Sequence, residues 1–399
     1  MKDPWFRCLV LVMIAAACAA PTAVTAPHPA PSALDRVVAD VCNKQVVLLG
    51  EPAHHGSGTT TRAKVELIKR LTDKCEFSAV FFESGVYDFL DLAHSLAAGT
   101  ATRAQLGDAI GGLWSTTQEA EPMVDDLLAK ATARRVVLAG LDYQVSATAV
   151  YAQRDLPVQL AGYLDGDRRA TCEAALQRHL QWQYDNHVRI AEVVPPLLAC
   201  LTDIQAAIAA RPASTTTQEA AFMASRLSRF VHDALSSPSH EARDREMYDA
   251  LRWHTARLAP GAKIIVWCAT VHAAKDLQGV EGFHAWTPLG AYVHRELGDR
   301  AAAIGFSGQA GSWARVRPPA TPLVPAPPDS LEGRAFPPGS PEMRYFDHRA
   351  LAQLGPIAAR ALDATFARAN WADHLDGLVV FHDDRPPTFV RGTQPQRAR

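Results

Sequence analysis

The feature that most constrains this chain is a set of apolar runs, each four to six residues long, recurring along nearly its whole length. They are Val46–Leu49, Ala79–Phe82, Val136–Ala139, Ile264–Trp267, Ala302–Phe306 and Leu378–Phe381. Most lack two-residue alternation, as expected of strands covered on both faces. Helical patterns lie between them. "TRAKVELIKRLTDK" sets Val65, Leu67, Ile68 and Leu71 on one side, and "EPMVDDLLAKATAR" does the same with Met123, Val124, Leu127 and Leu128. Strand, helix, strand predicts right-handed βαβ units, hence an α/β fold with a mainly parallel central sheet of about six strands flanked by helices. From about Tyr151 to Arg257 the strand signal disappears and long helical patterns take over, which reads as a helical insertion (151–257) packed on the sheet. The proline-rich stretch Pro318–Pro341 reads as a surface loop.

The 399 residues suffice for a full core, and 40 basic against 42 acidic residues, with no block of one sign, argue against nucleic acid as a partner. A small uncharged or zwitterionic ligand suits this balance better. "CLVLVMIAAACAA" is an apolar run of 13 residues after a weakly positive start, too short to span a bilayer and shaped like a secretory signal. Cleavage after Ala19 satisfies an A-x-A rule, so residues 1–19 read as a signal peptide and 20–31 as a Pro/Ala-rich tether. Lipoprotein anchoring through Cys18 is the second choice. The expectation is an exported protein, periplasmic or secreted, with one α/β domain over 32–399 and no transmembrane domain. Export permits disulfides. Cys42 and Cys75 each sit four residues before an apolar run, so parallel neighbouring strands would put both thiols at one sheet edge. Cys172 and Cys200 flank a helical hairpin, and Cys268 is left inside a strand.

In an open parallel sheet, ligands bind beyond the carboxyl ends of the strands. After the first run come Glu51, His54 and His55; the second ends in Glu83; Asp142, Tyr143 and Gln144 follow the third. His272 follows the fourth, Ser307 the fifth, and His382, Asp383 and Asp384 the sixth. A Glu immediately after a buried strand is half desolvated, which suits proton transfer. Each residue also has a plain reading: Glu51 as a helix-terminal acid, His272 as a core histidine, Arg62 and Lys64 as a solvated face, Trp114 and Glu119 as ordinary core and surface. The chain lacks a G-x-S-x-G elbow, an H-E-x-x-H and paired C-x-x-C. What remains is a set of carboxylates and imidazoles, able to polarise a water directly or to bind a divalent metal that does so.

"VVLLGEPAHHGSGTTTRAKVELIKRL" resembles the opening motif of the erythromycin esterase family, a G-E-x-x-H-G signature followed by a basic residue and an amphipathic helix. "AVFFESG", "GLWSTTQE", "VVLAGLDYQ", "IIVWCATVHAAK", "LGDRAAAIGFSGQAG", "PPDSLEGRA" and "HLDGLVVFHDDRPP" are similar to later segments of that family, in its order. The resemblance implies an α/β sheet with helical additions and hydrolysis of an ester or lactone, in some members macrolide inactivation, by a His-activated water. It implies no required cofactor. Glu51 and Glu83 match the family's two Glu. His55 matches its His when counted back from Gly56 and forward to Lys64; His54 matches when counted from Glu51, and we favour His55. Macrolide-cleaving members look like H-N-x-H after the fourth strand, where this chain has Ala269-Thr270-Val271-His272.

The resulting expectation has His55 or His54 as base, Glu51 orienting it and Glu83 holding the base or relaying the proton. His272 with Lys64 or Arg62 would stabilise the oxyanion, and Trp114, Glu119, Asp142, Gln144 and Ser307 would line the pocket. Two alternatives stay open. Glu51, His55, Glu83 and His272 are plausible ligands for a divalent metal. The family's haem-binding relatives suggest instead a non-catalytic envelope binding protein.

Overall fold

The computed structural model describes residues 31–390 except 186, 236–238 and 316–318. The expected signal peptide and the tether up to residue 30 lie outside the described residues. Among the described residues ten strands are formed: β1 (Val46–Leu49), β2 (Phe77–Gly85), β3 (Val137–Asp142), β4 (Lys263–Trp267), β5 (Ala301–Trp313), β6 (Thr321–Pro322), β7 (Met343–Asp347), β8 (Pro356–Ala359), β9 (Ala367–Asn370) and β10 (Gly377–Asp384). The main sheet runs β3-β2-β4-β1-β5-β10-β7, with β6 paired to β5. All six expected apolar runs enter it, and every pairing among β1, β2, β3, β4, β5 and β10 is parallel.

The lack of alternation in these runs has a simple cause. Val47 and Leu49 of β1 face one core, with Leu67, Phe82 and Trp267, while Val46 and Leu48 face another, with Phe81 and Val266. Helices cover the first face, among them Gly58–Lys74 and Glu121–Thr132. The second is covered from the insertion, whose helices among the described residues are Val150–Ala161, Gly166–Leu180, Ile190–Ala209, Thr215–Asp233 and His240–Thr255. Ile190–Ala209 has the length and apolarity of a bilayer span, yet its Val194, Leu197, Leu201, Ile204 and Ile208 join the core.

The sheet has eight strands rather than about six. The added members are β6 and β7, antiparallel and less buried, so neither carries a continuous apolar run. Both expected disulfides are present, Cys42–Cys75 with Cα atoms 5.1 Å apart and Cys172–Cys200 with Cα atoms 5.5 Å apart. The premise behind the first needs correction: β1 and β2 are not neighbours, because β4 lies between them. Lys263 at the start of β4 bridges the pair, its ammonium donating to Cys42 O at 2.7 Å and Cys75 O at 3.0 Å. Cys268 is free and buried.

Candidate active site

Beyond the carboxyl end of β1 the chain turns sharply against the end of β4. Gly50 is needed there, since a Cβ would lie 2.8 Å from Thr270 Cα. Three consecutive residues after β4 then tie the neighbouring loops together. Cys268 O accepts from Lys64 Nζ at 3.2 Å, Ala269 N donates to Glu83 Oε2 at 2.7 Å, and Thr270 N donates to Glu51 O at 2.7 Å. Two ionic clusters form on either side of this strip.

The first centres on Glu51. Its Oε1 accepts from Trp114 Nε1 at 2.8 Å and lies 2.7 Å from His55 Nδ1, while Oε2 is 3.6 Å from Lys64 Nζ. Burial opposes ionisation of Glu51, but the Lys64 ammonium and the His55 and Trp114 hydrogen bonds hold its pKa below the ordinary range. Lys64 is wholly buried, with its ammonium 3.9 Å from the centre of the Trp267 ring. Burial lowers its pKa, and Glu51 works against that shift. His55 takes a left-handed backbone conformation, φ 54°, uncommon for a residue with a Cβ. In the tautomer that donates Nδ1–H to the carboxylate the lone pair is on Nε2, which makes no hydrogen bond among the described residues.

His54 points elsewhere. Its ring stacks on Trp313, centroids 4.5 Å apart, and its Nδ1 accepts from Gly56 N at 2.9 Å. Burial lowers its pKa to about 4, so it is neutral at pH 7. The two adjacent histidines therefore diverge, one onto Glu51 and one onto an aromatic wall.

The second cluster gathers Glu83, Asp142 and His272 with two residues that the sequence reading missed, Arg243 and Asp244. Arg243 Nη2 donates to Glu83 Oε1 at 2.8 Å and to Asp142 Oδ2 at 2.6 Å, and its Nε reaches Asp142 Oδ2 at 3.1 Å. Burial opposes the Arg243 charge, and the two carboxylates outweigh it and raise its pKa. His272 is held between carboxylates, Nδ1 2.8 Å from Asp244 Oδ1 and Nε2 3.2 Å from Glu83 Oε1. Burial alone would neutralise it, but Glu83 and Asp244 raise its pKa to about 10. Arg243 Nη1 also lies within hydrogen-bond distance of His272 Nε2, at 3.0 Å, so the carboxylates that favour the charged ring compete there with a guanidinium that favours the neutral one. Three carboxylates compensate two cations. Glu83, although buried, is kept ionised by His272 and Arg243, well below the usual carboxylate range.

Besides His54, four expected residues, Arg62, Glu119, Ser307 and Gln144, bring no side chain into either cluster. The Arg62 side chain is 72% exposed and lies 3.7 Å from Oε1 of the buried Glu119, which also accepts from Thr388 N. Ser307 is buried and donates to Glu332 Oε1. Gln144 is placed by its backbone, whose N–H donates to Asp142 Oδ1 at 3.1 Å. Among the described residues, no group of three or more His, Cys, Asp or Glu is arranged to hold a metal ion. The reason is visible in the clusters, where the carboxylates face Lys64, His55, His272 and Arg243 instead of a common centre.

Arg243 and Asp244 carried one weak signal. "EARDREMYDALRWH" places them one, two and three turns before Met247, Leu251 and His254 on a buried stripe, yet five other charged residues surround them. They read as a solvated helix face.

The sequence model described as erythromycin esterase matches residues 72–383. Glu83, Asp142, Arg243 and His272 lie inside that stretch, whereas Glu51, His55 and Lys64 precede it. Similar solved structures include a Bacillus cereus protein (TM-score 0.66, 16% identity, 91% of this chain and 94% of that one). A succinoglycan biosynthesis protein (TM-score 0.64, 16% identity, 89% and 92%) is another. A third is a mutant of the erythromycin esterase EreC in its open conformation (TM-score 0.61, 16% identity, 88% and 93%). At that identity they speak to the fold alone. No curated protein matches the sequence.

Proposed function

Since the chain belongs to the erythromycin esterase family, we propose that it hydrolyses a carboxylic ester or lactone with a water activated by His55. The observation that carries this reading is the Glu51–His55 pair: a 2.7 Å contact fixes the tautomer and leaves Nε2 free to take a proton. Glu51 orients the base and stabilises the imidazolium formed when the water is deprotonated. Lys64 and Trp114 hold Glu51 in turn, so the role of Lys64 is to keep that carboxylate charged and placed. Attack on the carbonyl develops negative charge on its oxygen. Arg243, locked by Glu83 and Asp142 but with its side chain 17% exposed, is the group we assign to stabilise it. His272 keeps Glu83 ionised, and the proton on His55 then passes to the leaving alkoxide.

The ester could be other than a macrolide, because Ala269 stands where macrolide-cleaving members resemble each other in carrying His. No metal is required in this reading. Export through the N-terminal signal is part of the same proposal, and the two disulfides support an oxidising compartment.

A panel of simple esters, macrolides and other lactones tests the reaction, with and without chelator. Turnover of at least one substrate, insensitive to chelator and lost in His55→Asn, is expected. Loss on chelation would favour the metal-dependent alternative. Absence of any turnover, with ligand binding intact, would favour a binding protein. N-terminal sequencing of the exported fraction should begin at Ala20.

A further inference from the structure

A concavity opens where β3 meets the insertion. Its volume is about 560 Å³, inside the range of small-molecule sites, and its wall begins at Tyr143 and Gln144, directly after the Asp142 that holds Arg243. The opposite wall is aromatic. His179 lies at its centre, with ring centroids 6.0 Å from Trp182 and 6.3 Å from Phe230.

Trp182 has two unusual properties. It is 44% exposed, and its backbone sits in the left-handed region at φ 49°, where a bulky side chain is strained. Such strain concentrates at ligand clamps and argues for a reason to hold the ring there. The contacts of that ring are tilted or edge-on, 53° to His179 and 88° to Tyr184, so neither ring stacks parallel on its face.

The polar lining fixes the ligand class. Gln153 Nε2 donates to Ser146 O, Gln181 Nε2 to Gln153 O, and Gln183 Nε2 to Gln181 Oε1. This leaves the side-chain oxygens of Gln153 and Gln183 and the whole side-chain amide of Gln144 without a partner among the described residues. Free amides supply donors and acceptors together, which matches hydroxyl groups, each of which is both. The one carboxylate in the lining, Asp233, is occupied by Tyr143 Oη at 2.5 Å and Arg229 Nε at 3.0 Å, so the site offers little to a cation. Arg154 alone does not build an anion site.

We propose that this cavity is a binding site for a neutral sugar ring, which would stack its C–H face on Trp182 and hydrogen-bond its hydroxyls to the glutamines. Assigning the sugar to the substrate, as the glycosyl part of the ester, rests on the hydrolase reading; the binding itself does not.

Saturation-transfer NMR on the full chain with a panel of methyl hexopyranosides tests this without reading turnover. At least one sugar should give transfer, and Trp182→Ala should weaken it tenfold or more while circular dichroism stays unchanged. Should Trp182→Ala fail to fold, Gln183→Ala, at an exposed position, should still weaken binding several-fold. No transfer from any sugar, or transfer unaltered by the variants, overturns the proposal. So does displacement of the sugar by anilinonaphthalene sulfonate with higher affinity, which would mark the cavity as merely apolar. Ester hydrolysis without sugar binding removes this site alone, and sugar binding without hydrolysis removes only the catalytic reading.

Discussion

Asp244 Oδ1 lies 2.8 Å from His272 Nδ1, and the same side chain accepts from Leu289 N and Trp286 Nε1. An aspartate from a helix of the insertion thereby sets the ring orientation and charge of a histidine delivered by the central sheet. The centre belongs to both layers.

This pair gives a pH signature. The native pKa of His272 is raised to about 10 against an ordinary 6.5, so between these values the folded chain binds a proton that the unfolded chain has lost. Its contribution is complete below about pH 6.5 and is lost as pH rises toward 10. Thermal midpoints from pH 6 to 10 should fall with a slope that is reduced in Asp244→Asn and smaller still in His272→Gln. An unchanged slope in both variants would show that His272 is not the group responsible.

The two adjacent histidines should separate cleanly. His55→Asn is expected to lower kcat/KM by about 10²- to 10⁴-fold, the usual worth of a general base, with the fold intact. His54→Asn should keep kcat within a few-fold, since its ring stacks on Trp313 and accepts from Gly56 N instead of pairing with Glu51. Equal losses in the two variants would contradict these assignments.

Glu51 and Lys64 are a buried pair with side chains 3% and 0% exposed. Removing one partner strands the other charge, so Glu51→Gln or Lys64→Met should each cost about 3–5 kcal/mol of stability. The double variant should lose clearly less than the sum, because no unpaired charge remains. Urea titration of the four proteins measures the coupling, and strict additivity would count against it.

Reducing the disulfides should destabilise both layers. Their sequence separations are 33 and 28 residues. Loop-closure entropy assigns each about 3–4 kcal/mol. Cys42→Ala with Cys75→Ala should lower the global midpoint. Cys172→Ala with Cys200→Ala should instead raise hydrogen exchange first in the Gly166–Leu180 and Ile190–Ala209 helices. Uniform exchange across the chain would show that the insertion does not open separately.

The parallel strands were legible because burial on both faces forces uninterrupted apolar runs, as in β1. β7 was not, since "MRYFD" is an edge strand whose Arg344 and Asp347 are only partly buried. Glu51 and His55 were legible from their place just after β1, and Glu83 and Asp142 from theirs at the carboxyl ends of β2 and β3, positions set by topology. Arg243 and Asp244 were hidden because a helix carries no such marker, and a buried ion pair reads in sequence like a wet surface. The separation of His54 from His55 depended on Trp313, more than 250 residues away. No local pattern could supply that.

One consequence reaches beyond catalysis. Arg243 and Asp244 are consecutive, so on a helix of 3.6 residues per turn they leave the axis about 100° apart. The first grips the ends of β2 and β3, the second the ring after β4. That helix is therefore gauged in rotation as well as position: a roll or a slip of one residue would unseat both grips at once. Anyone grafting a different insertion onto this scaffold must reproduce its phase, not only its length.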